Sequence, residues 1–68
     1  MIESLRRIMW ALEKKPSVVK FDDVRRAIEQ TIGQDIRTIK KYLDLLVRYN
    51  CLKKLGRWYF RKVDADTG

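Results

Sequence analysis

Between residues 37 and 62 the chain sets Arg37, Lys40, Lys41 and Arg48 on one predicted helix, then Lys53, Lys54, Arg57, Arg61 and Lys62 on a hairpin that follows directly. Trp58, Tyr59 and Phe60 are threaded among the second set. The chemistry open to these residue types is recognition of a polyanion. Guanidinium forks hold phosphate bidentately, ammonium groups neutralise it as point charges, and an aromatic ring can stack on a base.

The charge balance points to the same class of partner. Lysine and arginine number 16, and aspartate and glutamate 9, in a chain of 68 residues with a net charge of +7. Such an excess attracts nucleic acid first and an anionic membrane surface second. Enzyme chemistry is poorly provided for. With no histidine and a single cysteine, Cys51, the sequence lacks the residues for a nucleophile–base pair, an internal disulfide or a cysteine–histidine zinc site. Its three glycines stand apart and form no phosphate-cradling loop. The expectation is a protein that is not an enzyme, with no cofactor, metal or small-molecule substrate. No apolar run approaches the ~20 residues of a membrane span. Met1 leads into an amphipathic pattern rather than a secretory signal, so a cytoplasmic protein is expected.

Positioning the cations takes three helices and a hairpin. Ile2, Leu5, Ile8, Met9 and Leu12 recur on one side of a first helix over residues 2 to 14, which Pro16 stops. The β-branched pair Val18 and Val19 suits a very short strand. A second helix over 21 to 32 turns Phe21, Val24, Ala27, Ile28 and Ile32 inward, carries Asp22 and Asp23 in its first turn and stops at Gly33. Asp35 caps a third helix over 36 to 49, whose expected core stripe is Ile36, Ile39, Leu43, Leu46 and Val47. Asn50 ends it. A hairpin over 52 to 62 turns at Leu55-Gly56-Arg57, where glycine can supply positive φ. Two registers are open. A two-residue loop pairs Leu55 with Trp58 and Leu52 with Arg61, whereas a three-residue loop pairs Lys54 with Trp58 and Leu52 with Phe60. The second is preferred, because it places Leu52, Trp58 and Phe60 on one buried face. Residues 1 to 63 make one domain and 64 to 68 a short polar tail.

This order of elements, carried by VKFDDVRRAI, IGQDIRTIKKYLDLLV and CLKKLGRWYFRK, resembles the winged helix-turn-helix family over residues 2 to 63. Small prokaryotic, archaeal and archaeal-virus or plasmid regulators are the nearest in kind. The resemblance implies an α+β, mostly helical fold of three helices and a C-terminal β-hairpin wing. It implies double-stranded DNA as partner and a role in transcription regulation, with helix 36–49 in the major groove and wing 52–62 on the backbone. Winged helices also serve as protein–protein interaction modules of replication or transcription complexes, and this is the alternative. RNA binding is a third. One position departs from the family pattern: many members cap the second helix with Ser or Thr, but Lys20 stands here. A cap must then come from Asp22, or that turn is less well satisfied.

Arg37, Lys40 and Lys41 belong to the polar side of the third helix, with Gln34 and Thr38 at its start. Arginine and glutamine can read guanine and adenine edges, while lysine mainly holds phosphate. Asp44 would face phosphates if the whole helix lay on DNA. Paired with Lys40 or Arg48 four residues away, it confines reading to the helix's first half. On the wing, Lys53, Lys54, Arg57, Arg61 and Lys62 would neutralise phosphates, with Tyr59 facing out beside Arg61. The plainer reading of each is a solvated charged face. Trp10, on the polar side of the first helix, and a second apolar flank of Tyr42, Leu45 and Tyr49 are the candidate protein interface, for a homodimer or a protein partner. Packing against the C-terminal tail or under the wing is the plainer account of these. Cys51 reads as a half-buried structural thiol.

Overall fold

The computed structural model describes residues 2–63. The side chain of Ile2 and the expected tail, 64 to 68, lie outside the described residues. Three helices, α1 (Ile2–Ala11), α2 (Phe21–Thr31) and α3 (Ile36–Arg48), pack on one face of a sheet of β1 (Val18–Lys20), β2 (Leu52–Lys54) and β3 (Tyr59–Lys62). The sheet is antiparallel throughout with the order β1-β3-β2, so the short strand anticipated at Val18–Val19 joins the hairpin. Leu5, Ile8 and Leu12 from α1 and the turn after it, Val24, Ala27 and Ile28 from α2, and Ile39, Leu45 and Leu46 from α3 meet Val19, Leu52 and Phe60 of the sheet in one core.

α1 ends three residues earlier than its apolar period suggests. The chain tightens there into three-residue hydrogen bonds, from Leu12 N to Met9 O (3.1 Å), Glu13 N to Trp10 O (3.1 Å) and Lys15 N to Leu12 O (3.0 Å), before Pro16 stops it. The Lys62 ammonium donates to the carbonyls of Lys15 (2.6 Å), Leu12 (3.0 Å) and Glu13 (3.4 Å). A cation at the negative end of a helix, adding a donor to the carbonyls of its last turn, is favourable on both counts.

The cap of α2 comes from Asp23 rather than Asp22. Its carboxylate accepts from Lys20 N–H at 3.2 Å, the half of a capping box that does not need a Ser or Thr. Asp22 instead pairs with Arg25 and Arg26. Asp35 caps α3 as its position promises, accepting from Arg37 N–H at 2.9 Å. At the other end Cys51 N–H donates to Leu46 O (2.8 Å) and Asn50 N–H to Val47 O (3.1 Å), with Asn50 at φ 61°. This is a Schellman closure with asparagine in the left-handed position.

The core stripe of α3 is turned from the expected one. Leu45 is buried (9% exposed) and Tyr42 half-buried, whereas Ile36 is 66% exposed. α3 has α2, β2 and α1 around it, so its covered sector is centred toward Tyr42 and Leu45, and Ile36 falls outside. Leu43 and Val47 are left on the margin, half-buried.

Both anticipated hairpin registers are also corrected. Leu52 pairs with Lys62, Lys53 with Arg61 and Lys54 with Phe60, and Leu55 N–H donates to Tyr59 O at 3.0 Å. The loop is Gly56-Arg57-Trp58, and among the described residues no glycine has positive φ. Relative to the preferred register the strands have slipped by an even step, which keeps each side chain on its face. Leu52 and Phe60 therefore remain buried. Trp58 leaves the strand, is 60% exposed, and packs edge-on against Phe21 with ring centroids 6.0 Å apart at 85°.

Candidate functional site

The pleat gives the sheet two unlike faces. Val19, Phe60 and Leu52 point into the core. On the other face Lys20 lies opposite Tyr59, while Arg61 lies between Val18 on one side and Lys53 on the other. All five of these side chains are exposed. Lys53 and Arg61 are thus like charges directly opposed across the ladder, an arrangement that costs stability unless an anion lies over it. Lys54 is exposed but shares the side of Phe60, and Arg57 is exposed in the loop. The hairpin cations consequently point in more than one direction. Lys62, counted with them from sequence, is committed to the end of α1 and withdraws from the set.

On α3, Arg37, Lys40 and Lys41 are exposed together with Gln34 just before the helix. Thr38 is half-buried, on the flank that packs inward. Exposed Ile36 stands among the cations and offers a methyl surface beside them. Asp44 pairs with Arg48 at 3.6 Å, so the last turns of the helix are internally neutralised and the first half keeps its positive charge. The other ion pairs lie on α1, α2 and the turn between them: Arg7–Glu3 (3.7 Å), Lys15–Asp23 (3.9 Å) and the Asp22 cluster. Among the described residues none involves Arg37, Lys40, Lys41, Lys53, Lys54, Arg57 or Arg61. Asp35, which caps α3, and Asp44, which is held by Arg48, are the acids nearest the α3 cations; the excess of unpaired positive charge makes a surface suited to a polyanion.

No family model, curated protein or solved structure matches this chain.

Two residues of this surface were not singled out by sequence. Lys20 ends β1, far from the hairpin in the chain, and only the β1–β3 pairing brings it to Tyr59. Trp58, expected in the core, is the second and is exposed. Its position after Gly56 and Arg57, in a loop rather than a strand, was the available signal.

Of the expected interface residues, Leu45 and Tyr42 are taken by the core. Trp10 (76% exposed) and Tyr49 (54% exposed) are not, and they line one groove between α1 and the end of α3. Cys51 is half-buried in the same region, and burial pushes its thiol pKa up. Among the described residues no three of histidine, cysteine, aspartate and glutamate converge in a metal-holding group, and no helix is long and apolar enough to cross a membrane.

Proposed function

We propose that this domain binds double-stranded DNA as a winged helix-turn-helix, most simply as a transcriptional regulator. In this reading the first half of α3 enters the major groove and the hairpin serves as the wing on the sugar–phosphate backbone. The observation that carries the proposal is the set of exposed cations on these two elements that enter no ion pair among the described residues, above all the opposed pair Lys53 and Arg61. Arg37 and Gln34 are the base readers, and Ile36 offers apolar contact to a thymine methyl. Lys40, Lys41, Lys53 and Arg61 hold phosphates, and Tyr59 hydrogen-bonds one from the same face. Asp44, held by Arg48, marks where the helix leaves the groove.

The alternative, a module docking onto a replication or transcription complex, draws on the exposed Trp10 and Tyr49 rather than on the cations. Fluorescence anisotropy with labelled duplexes separates the two. DNA binding should weaken steeply between about 50 and 200 mM salt. Lys53→Met should weaken all sequences alike and reduce the salt slope by about 1. Arg37→Ala should cost ~1–3 kcal/mol on a preferred site and relax its selectivity. Absence of binding at about 50 mM salt, or an affinity indifferent to salt, would overturn the reading.

A further inference from the structure

The groove between α1 and the end of α3 is an apolar surface with an ordered pattern of charge along it. Trp10 is largely exposed, Met9 is half-buried at its side, and Tyr49 and Val63 form the opposite wall. Arg6 from α1 and Glu13 from the turn after it line the same groove. They are seven residues apart, Arg6 on α1 and Glu13 in the tightened turn that follows it, and they bracket Met9 and Trp10. Neither takes part in an ion pair among the described residues, although Glu3 on the same helix is held by Arg7.

This pattern is its own complement. A two-fold axis passing between Met9 and Trp10, with two α1 helices antiparallel, sets Arg6 of each copy opposite Glu13 of the other. It also sets Met9 of each copy opposite Trp10 of the other. Self-complementarity about an axis is the requirement of an isologous dimer. An unrelated partner would have to supply the reversed charge order by design; a second copy of this chain has it already. We infer that α1 is a self-association surface, with a Met9–Trp10 centre closed at each end by an Arg6–Glu13 pair between copies.

The interface is short. α1 is ten residues, about 15 Å long, which places the contact at the low end of specific interfaces and makes a weak, concentration-dependent dimer. It also leaves the α3 cations clear, since Tyr49 lies about 18 Å along the helix direction from Arg37. The inference stands independently of DNA binding and is tested without DNA.

Sedimentation velocity of the intact chain, from micromolar to near-millimolar concentration, should show a reversible monomer–dimer equilibrium. Arg6→Glu and Glu13→Arg, each of which opposes like charges twice, should weaken it by about tenfold or more. Combining them should restore association close to the original. Trp10→Ala should abolish it. These side chains are exposed, so circular dichroism melts should show every variant folded. A chain that stays monomeric throughout overturns the inference, and so does a double variant no tighter than the single ones.

Discussion

Replacing Lys62 by Met removes the ammonium and keeps most of the aliphatic stem. The ammonium donates to three carbonyls at the end of α1, of which the Leu12 bond at 3.0 Å is part-buried, while those to Glu13 and Lys15 are exposed. The exposed carbonyls recover water when the ammonium is lost. The cost is therefore dominated by the Leu12 bond, at ~1.5 kcal/mol for a charged donor, the low end because that carbonyl keeps its bond from Lys15 N–H. The lost interaction with the helix end adds ~0.3–1 kcal/mol. A total of about 2 kcal/mol corresponds to a fall in Tm of about 8–16 °C for a domain this small. The measurement is paired thermal and urea unfolding of Lys62→Met and Lys53→Met. Lys53 is exposed opposite Arg61, so its replacement should change stability by less than ~0.5 kcal/mol or raise it slightly. Two hairpin lysines of similar sequence context should thus behave oppositely: in the proposed DNA binding Lys53 should set the salt slope, whereas Lys62 should set the melting point. Equal, small effects on unfolding would refute the assignment of Lys62 to the end of α1.

Further outcomes follow from the turned face of α3 and from its closure. Ile36→Ala should cost less than ~0.5 kcal/mol in urea unfolding, whereas Leu45→Ala should cost ~2–4 kcal/mol by leaving a cavity. Asn50→Ala should destabilise by ~1 kcal/mol because its φ is left-handed, while Asn50→Gly should be neutral or better. Burial raises the thiol of Cys51 above its ordinary value of 9.0, so the folded state keeps the proton longer than the unfolded chain. Stability is then full below that value and declines as pH rises from there through the folded pKa, and Cys51→Ser should flatten this decline. Iodoacetamide should also react more slowly with the folded protein than with the urea-unfolded chain.

The element order was legible because its punctuation is local. Pro16, Gly33, Asp35 and Asn50 act on their immediate neighbours, and each falls at or within a few residues of an element's end. The cationic half of α3 was legible for a similar reason, since Asp44 and Arg48 are four residues apart and find each other within the helix. What escaped the sequence depends on distant partners. α3 has apolar residues over more than half its circumference, and only the placement of α1, α2 and β2 around it decides that Leu45 enters and Ile36 does not. Lys62 looks like its neighbours in composition, but its acceptors lie nearly fifty residues earlier. The β1–β3 pairing that adds Lys20 to the cationic face spans a similar separation. An even slip of the hairpin changes the partners but not the faces, which is why Leu52, Phe60 and Tyr59 were placed correctly by the wrong register while Trp58 was not.

Among the described residues β3 is the last strand in sequence order and the middle strand of the sheet. During synthesis the three helices and both outer strands emerge before the strand that joins them. Until Tyr59–Lys62 arrives, Val19 and Leu52 have no sheet to complete, and the carbonyls at the end of α1 wait for Lys62. The helices can form early from local contacts, but the sheet closes late through pairings of long sequence separation, the slow kind. The domain thus acquires its outer cationic face and the sheet side of its core in the same step, and a chain cut short before Tyr59 would have neither.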